Sequence, residues 1–333
     1  MGHRLSPGLG IALSGLGVLI LALFALSFGQ YPISLAEVWT ALVSEANPRV
    51  ETIVTEIRLP RVVSAILVGA ALAAAGATYQ GLFRNPLVSP DILGVSSGAG
   101  LGAVLAIYLS LPVIAIQGMA FGFGLGAVFL VYGIARTLRG THDPMLVLVL
   151  AGIVMGTLFG ACISLLTYLA DPYDQLPAIA FWMLGSLASV KNDDLVGVIW
   201  PILLGLIPLV LLRWRINLMA LGDADAKALG LETGRLRILI VASATLITAA
   251  AVSVTGIVGW VGLVVPHLAR MLVGPNFMVL LPASLLMGGG YLLGVDTVAR
   301  TLADIEIPLG VLNAFIGAPF FLLILARARK VWQ

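Results

Sequence analysis

Apolar stretches of about 20 residues follow one another along this chain, and short polar segments between them hold nearly all of its charge. Breaks in hydropathy predict spans over residues 9–28, 62–82, 92–110, 113–135, 144–169, 195–212, 237–256, 258–272, 278–295 and 307–326. Each approaches the length at which an α-helix, rising about 1.5 Å per residue, crosses a hydrocarbon core of about 30 Å. Pro266 and His267 interrupt the 258–272 segment and make it the least regular of the set. The pattern predicts an all-α fold, a polytopic transmembrane helical bundle of about ten helices in one membrane domain over residues 1–333. The first span outlasts the roughly 7–15 apolar residues of a cleaved leader and no small-x-small site followed by a polar mature domain precedes the next span, so it is expected to remain a transmembrane helix.

Composition agrees with that pattern. Of 333 residues, 60% are hydrophobic and 10% charged, against about 25% charged in soluble domains. A single cysteine, Cys162, cannot form an intrachain disulfide. The net charge of +2 offers nothing to nucleic acid, and its distribution is what informs. Ten spans put both termini on one side. Of the 18 lysines and arginines, only Arg49, Arg58, Arg61, Lys191 and Arg300 then fall on the opposite side. Basic residues gather on the cytoplasmic side of membrane proteins, so both termini are expected in the cytoplasm.

Several chemistries are excluded. No G-x-x-x-x-G-K-[ST] loop is present to cradle ATP phosphates. No predicted span carries an acid or base at its centre, although carriers driven by proton or sodium gradients use such groups. Neither a Cys/His cluster with metal-ligand spacing nor a nucleophile–base pair occurs. The chain is therefore not expected to be an enzyme, nor to hold a metal or other cofactor itself. Solute transport powered by a separate subunit fits better than a stand-alone secondary carrier.

Small residues suggest how the helices pack. Gly152, Gly156 and Gly160 lie four apart, as do Gly94/Gly98, Gly98/Gly102, Gly118/Gly122, Gly122/Gly126 and Gly290/Gly294. This spacing lets helix backbones approach closely in lipid. Residues 67–93 and 243–270 each run from a Gly/Ala-rich span into a proline-containing break, a faint inverted repeat of the kind transporters use.

Five motifs stand at the ends of spans. Arg58-Leu59-Pro60-Arg61 opens a long apolar segment that closes at Arg84-Asn85-Pro86-Leu87-Val88-Ser89-Pro90-Asp91-Ile92-Leu93-Gly94. Asp296-Thr297-Val298-Ala299-Arg300 ends the ninth span. Guanidinium groups suit bidentate pairing with carboxylates, either internally with Glu56, Asp304 or Glu306 or with a soluble partner. Between the sixth and seventh spans, Leu218-Met219-Ala220-Leu221-Gly222-Asp223-Ala224-Asp225-Ala226-Lys227-Ala228-Leu229-Gly230 predicts a short helix begun by Asp223 and stopped by Gly230. Its Leu218, Met219, Leu221 and Leu229 are expected to be exposed and to need a covering surface. Asp223 and Asp225 suit a cytosolic protein better than anionic lipid. The remaining motifs are Gly256-Ile257-Val258-Gly259-Trp260-Val261-Gly262-Leu263-Val264-Val265-Pro266-His267-Leu268-Ala269-Arg270, then Glu306-Ile307-Pro308-Leu309-Gly310 with Ile316-Gly317-Ala318-Pro319-Phe320. His267 is expected to bond locally rather than to bind metal.

Together these motifs, from about residue 56 to 325, resemble the FecCD/BtuC-like permeases, membrane subunits of ATP-driven importers for iron chelates, haem and cobalamin. The resemblance implies a BtuC-like, type II importer architecture in a bacterial inner membrane. It also implies two ATP-binding cassette subunits carrying ATP and Mg, a periplasmic or lipid-anchored binding protein, and a second permease, expected to be an identical copy. By the same resemblance Arg58, Arg61 and Arg300 would dock the binding protein. Leu218, Leu221, Gly222, Asp223, Ala226, Leu229 and Gly230, within a coupling region of about residues 216–236, would dock the ATPase. Met155, Gly156, Cys162 and Tyr168 on the 144–169 span are candidate pathway residues, three of them side-chain types that can ligate haem iron. Ferric siderophore leads as cargo, with haem, cobalamin and molybdate-type oxyanions as alternatives.

Overall fold

The structure, a computed structural model, describes residues 7–43, 47–138 and 144–329; Arg4, Arg139 and Lys330, which entered the charge count, lie outside them. Among the described residues the regular elements are all helices, without strands. They group into two compact units: Met1–Ala77, Ser186–Gly197 and Val258–Gln333 form the first, Thr78–Gly185 and Val198–Ile257 the second.

The first unit begins with α1 (Pro7–Ser27), α2 (Leu35–Val43) and α3 (Pro48–Thr52). Ser34 and Glu37 form a reciprocal cap at the start of α2: the Ser34 amide and hydroxyl donate to the Glu37 carboxylate, and the Glu37 amide donates back to Ser34 Oγ. Those bonds hold the Glu37 carboxyl below its ordinary pKa. A π-helical turn, Ile53–Arg58, leads into α4 (Leu59–Leu82). Pro60 has no N–H to offer the carbonyl one turn back, and the backbone takes the wider register there, Leu59 donating to Val54.

The second unit follows: a 3₁₀ turn at Pro90–Leu93, α5 (Val95–Tyr108), α6 (Val113–Thr137), α7 (Pro144–Leu169), α8 (Gln175–Leu184), α9 (Asn192–Leu211), α10 (Arg213–Met219), α11 (Asp223–Ala228) and α12 (Thr233–Thr255). The first unit is completed by α13 (Val261–Val273), α14 (Phe277–Ala299) and α15 (Leu309–Arg329). Unit boundaries fall inside α4 and α9, both of which are continuous helices.

All ten expected segments are helices, but among the described residues seven helical segments are long and apolar enough to cross a membrane. At 14 and 13 residues, α5 and α13 are too short, because Gly94 and the Gly256–Trp260 break take residues that hydropathy assigned to spans. The fully described apolar part of α15, Leu309–Leu323, is also short. Helix α8 lay outside the expected spans; its Ile179 is buried with Val104 and Ile107 of α5.

Packing rests on backbone contact. A side-chain carbon added at Gly69 would overlap the Gly288 carbonyl, and one at Gly76 the Gly262 carbonyl, both within the first unit. In the second unit Gly98 and Gly102 lie against the carbonyls of Phe123 and Met119, so α5 and α6 run antiparallel at the closest separation. Gly152 presses on the Ile92 carbonyl. The other spaced glycines differ: Gly118, Gly122, Gly126 and Gly160 face open space. Gly69→Val is therefore expected to cost at least the roughly 1–3 kcal/mol typical of overpacking, whereas Gly126→Ala should leave the melting temperature in detergent unchanged.

Candidate functional site

Arg58, Arg61 and Arg300 gather in the first unit. Arg58 is 5% exposed. Its Nη1 donates to the carbonyls of Leu26 at 2.6 Å and Ser27 at 2.9 Å, and its Nη2 donates to that of Tyr31. Arg300 donates through Nη2 to the carbonyl of Ala25. Helix α1 ends here, where last-turn carbonyls run short of intrahelical donors and the helix dipole favours a cation. Gly29 leaves the space: an added side-chain carbon would lie 2.8 Å from Arg58 Nη2 and 3.5 Å from Arg300 Nη1.

Arg61 holds two carboxylates at once. Its Nε donates to both Asp296 oxygens at 3.0 Å, and Nη2 reaches Asp296 Oδ1 at 2.8 Å. Along the other edge Nη1 donates to Glu306 Oε2 at 3.0 Å, and Nη2 also meets Oε1. The Asp296 side chain is 1% exposed and that of Glu306 29%. A planar guanidinium with five donors can make two-point contact with both acids, which the three donors of an ammonium are too few to do. Glu56, another of the acids considered for pairing, accepts instead from Asn192 Nδ2 at 3.0 Å.

Of the two readings open for these arginines, internal pairing is present: Arg61 meets Glu306 and also Asp296, which was not among the acids considered, while Arg58 and Arg300 bond carbonyls at the end of α1. The spans also reach further than the apolar runs suggested. Asp296 lies inside α14, and Arg61 inside α4, because each neutralises the other.

The short helix expected between Asp223 and Gly230 is α11, and Leu218 and Met219 before it belong to the end of α10. Gly222 joins them at φ +126° and Gly230 follows α11 at φ +82°, left-handed conformations that favour glycine. Ile216, Met219 and Ala226 are buried beneath the turn, while Leu221 and Leu229 are more than half exposed. Met219 thus leaves the exposed set: it closes α10 on the inner face. Leu218 is half-buried. Asp223 is held by Arg237 of α12 at 2.6 Å, and Arg84 Nη1 would lie 3.2 Å from a carbon added at Gly222. The loop after α4 and the α10–α11 turn are therefore neighbours, a juxtaposition that the separate motifs did not reveal.

The α7 candidates do not converge. Met155 is buried, Gly156 and Cys162 are intermediate, and Tyr168 is 86% exposed. Met155 and Cys162 are two turns apart on one face, but Tyr168 lies on another. Met155 floors an open groove of about 480 Å3 lined by Ile134, Leu138, Val147, Leu150, Ala151 and Val154. Among the described residues no group of three or more His, Cys, Asp or Glu side chains could hold a metal ion.

Two further motifs meet. Trp260, at φ 72°, packs its ring where a side-chain carbon on Gly317 would come within 2.6 Å. His267 lies edge-on to Phe320 with ring centres 6.5 Å apart. A bulky residue in the left-handed region is an outlier, and here the Gly317 contact accompanies it.

The FecCD transport family matches residues 17–327. The chain belongs to that family. This FecCD permease is 39% identical to the molybdate import system permease MolB of Haemophilus influenzae over 94% of either chain. It is 41% identical to a probable iron chelatin transport system permease of Helicobacter pylori, over 95% of this chain and 98% of that one. A solved structure of a protein assigned to the metal-chelate type of ABC transporter, in an inward-facing conformation, superposes with a TM-score of 0.87 at 39% identity, covering 95% of this chain and 98% of that one. The FecCD chain is thus a multi-pass membrane permease of the ABC importer class.

Arg61→Ala should cost about 3–5 kcal/mol, the usual penalty for stranding a buried charge, because Asp296 loses the guanidinium it is hydrogen-bonded to. An unfolding midpoint in detergent would register it. Asp296→Asn in the Arg61→Ala background should recover part of the loss.

Proposed function

We propose that this permease works as a pair of identical copies with two ATP-binding cassette subunits and a soluble binding protein, importing an iron chelate by alternating access at the interface between the copies. Both termini and the α10–α11 turn are assigned to the cytoplasm of a bacterial inner membrane, and the arginine cluster to the outer side. The carrying observation is the α10–Gly222–α11 turn. It is pinned from within by Arg237 and by a buried Met219 and Ala226, yet presents Leu221 and Leu229 bare. Rigid turns with exposed leucines suit insertion into a protein cleft, and a chain without its own nucleotide-binding loop must receive its energy from such a contact.

An iron chelate is favoured over a small oxyanion because the groove at Met155 is lined by apolar side chains. Such a wall suits a bulky solute held loosely; an oxyanion requires donors to replace its water. The resemblance assigns binding-protein docking to the outer ends of α4 and α14, where Arg61 and Arg300 sit.

Replacing Gly222 with tryptophan puts a side chain at φ +126° against Arg84. In proteoliposomes containing the ATPase subunits, this variant should retain basal ATP hydrolysis but lose most cargo uptake. Unchanged uptake per ATP would move the coupling contact elsewhere.

A further inference from the structure

Arg61 presents two edges that differ in exposure. Asp296, buried on α14, takes the inner one; Glu306, in the segment between α14 and α15 and 29% exposed, takes the outer. The cluster holds three arginines against these two acids, so it carries one surplus positive charge. Arg58 is met only by backbone carbonyls, and Arg300 Nε is buried without a partner. Such a site has unspent capacity for an anion, yet its accessible guanidinium edge is already occupied by a carboxylate of the chain itself.

We infer that Glu306 is an intramolecular stand-in for a partner's carboxylate: it holds the outer edge of Arg61 in the free permease and must leave when an acidic protein surface docks. This rests on reading the arginine end as the docking face of the importer. Both partners of the exchange are carboxylates on the same fork, so the guanidinium keeps its hydrogen bonds throughout and Asp296 never loses its cation. Glu306 is the member able to move. It belongs to an irregular segment, whereas Asp296 is fixed within α14. Docking would then release residues 300–308 and carry the signal to the start of α15. The stand-in also keeps the outer edge of Arg61 hydrogen-bonded in the free permease, at the cost of weaker docking.

The test uses the full chain in phosphatidylcholine nanodiscs and a fluorescent hexaglutamate peptide, read by anisotropy at low salt. Glu306→Gln should bind the peptide at least about fivefold more tightly than the unaltered chain. A hexaglutamine peptide should show no gain, and bound hexaglutamate should shield Arg61 from phenylglyoxal. Equal affinity, or a gain without shielding of Arg61, would overturn the inference. Should Glu306→Gln fail to fold, Glu306→Asp carries the same test. Its arm is one methylene shorter, so peptide binding should rise above that of the unaltered chain, and unchanged binding would overturn the inference. Neither ATP nor cargo enters this assay, so its failure is separable from that of the importer reading, which transport in proteoliposomes decides.

Discussion

Close backbone contact between α4 and α14 is the constraint on which the first unit depends. Gly69 and Gly288 each lack the side chain that would hold the helices apart. Arg61 lies two turns before Gly69 and Asp296 two turns after Gly288, so in an antiparallel pair these residues come level. The glycines thereby set both the distance and the register that let one guanidinium reach a buried carboxylate. In lipid there is no hydrophobic gain from bringing helices together, so this contact must be won by packing and hydrogen bonding. Gly76 against Gly262 repeats the device further along α4 and brings α13 close.

Charge follows from that geometry. An isolated arginine or aspartate within a helix end would be expensive in a low-dielectric setting, but Arg61 and Asp296 arrive as a pair. Arg58 and Arg300 solve a different problem, the open carbonyls at the end of α1. Three arginines that look alike in sequence thus divide into one ion-pair centre and two helix caps. At Gly222 the same economy holds with different parts: a left-handed glycine makes the turn, and Arg237 locks Asp223 beneath it. Both places combine a rigid interior with an exposed outer contact, as a protein that passes on motion requires.

Much of the fold was legible in the sequence because the membrane imposes a single period and length. Every expected span is a helix, and Asp223 and Gly230 flank α11 as their residue types suggest. Span lengths were less legible, since hydropathy does not register where Gly94 or Trp260 breaks a helix. Contacts between motifs were also hidden. The aspartate of Asp296–Arg300 was read as part of a docking signature, and only the antiparallel register shows it as the partner of Arg61. Among the glycines, four-residue spacing marked Gly98/Gly102 and Gly118/Gly122 alike, yet only the former meets a neighbouring backbone. The decisive pair, Gly69 and Gly288, escaped a search for glycines four apart because the small residue four after Gly69 is Ala73, which also lies against Gly288. Membership of the family, by contrast, was carried by local motifs and was readable without any geometry.

The most direct measurement of the central claim is cargo uptake by cells lacking this gene, with and without its restoration, comparing labelled ferric siderophores, haem, cobalamin and molybdate. The account predicts selective loss of ferric siderophore uptake, recovered by the intact gene and abolished when cellular ATP is depleted with the membrane potential maintained. Uptake that persists on the membrane potential alone, or a loss confined to molybdate, would contradict it.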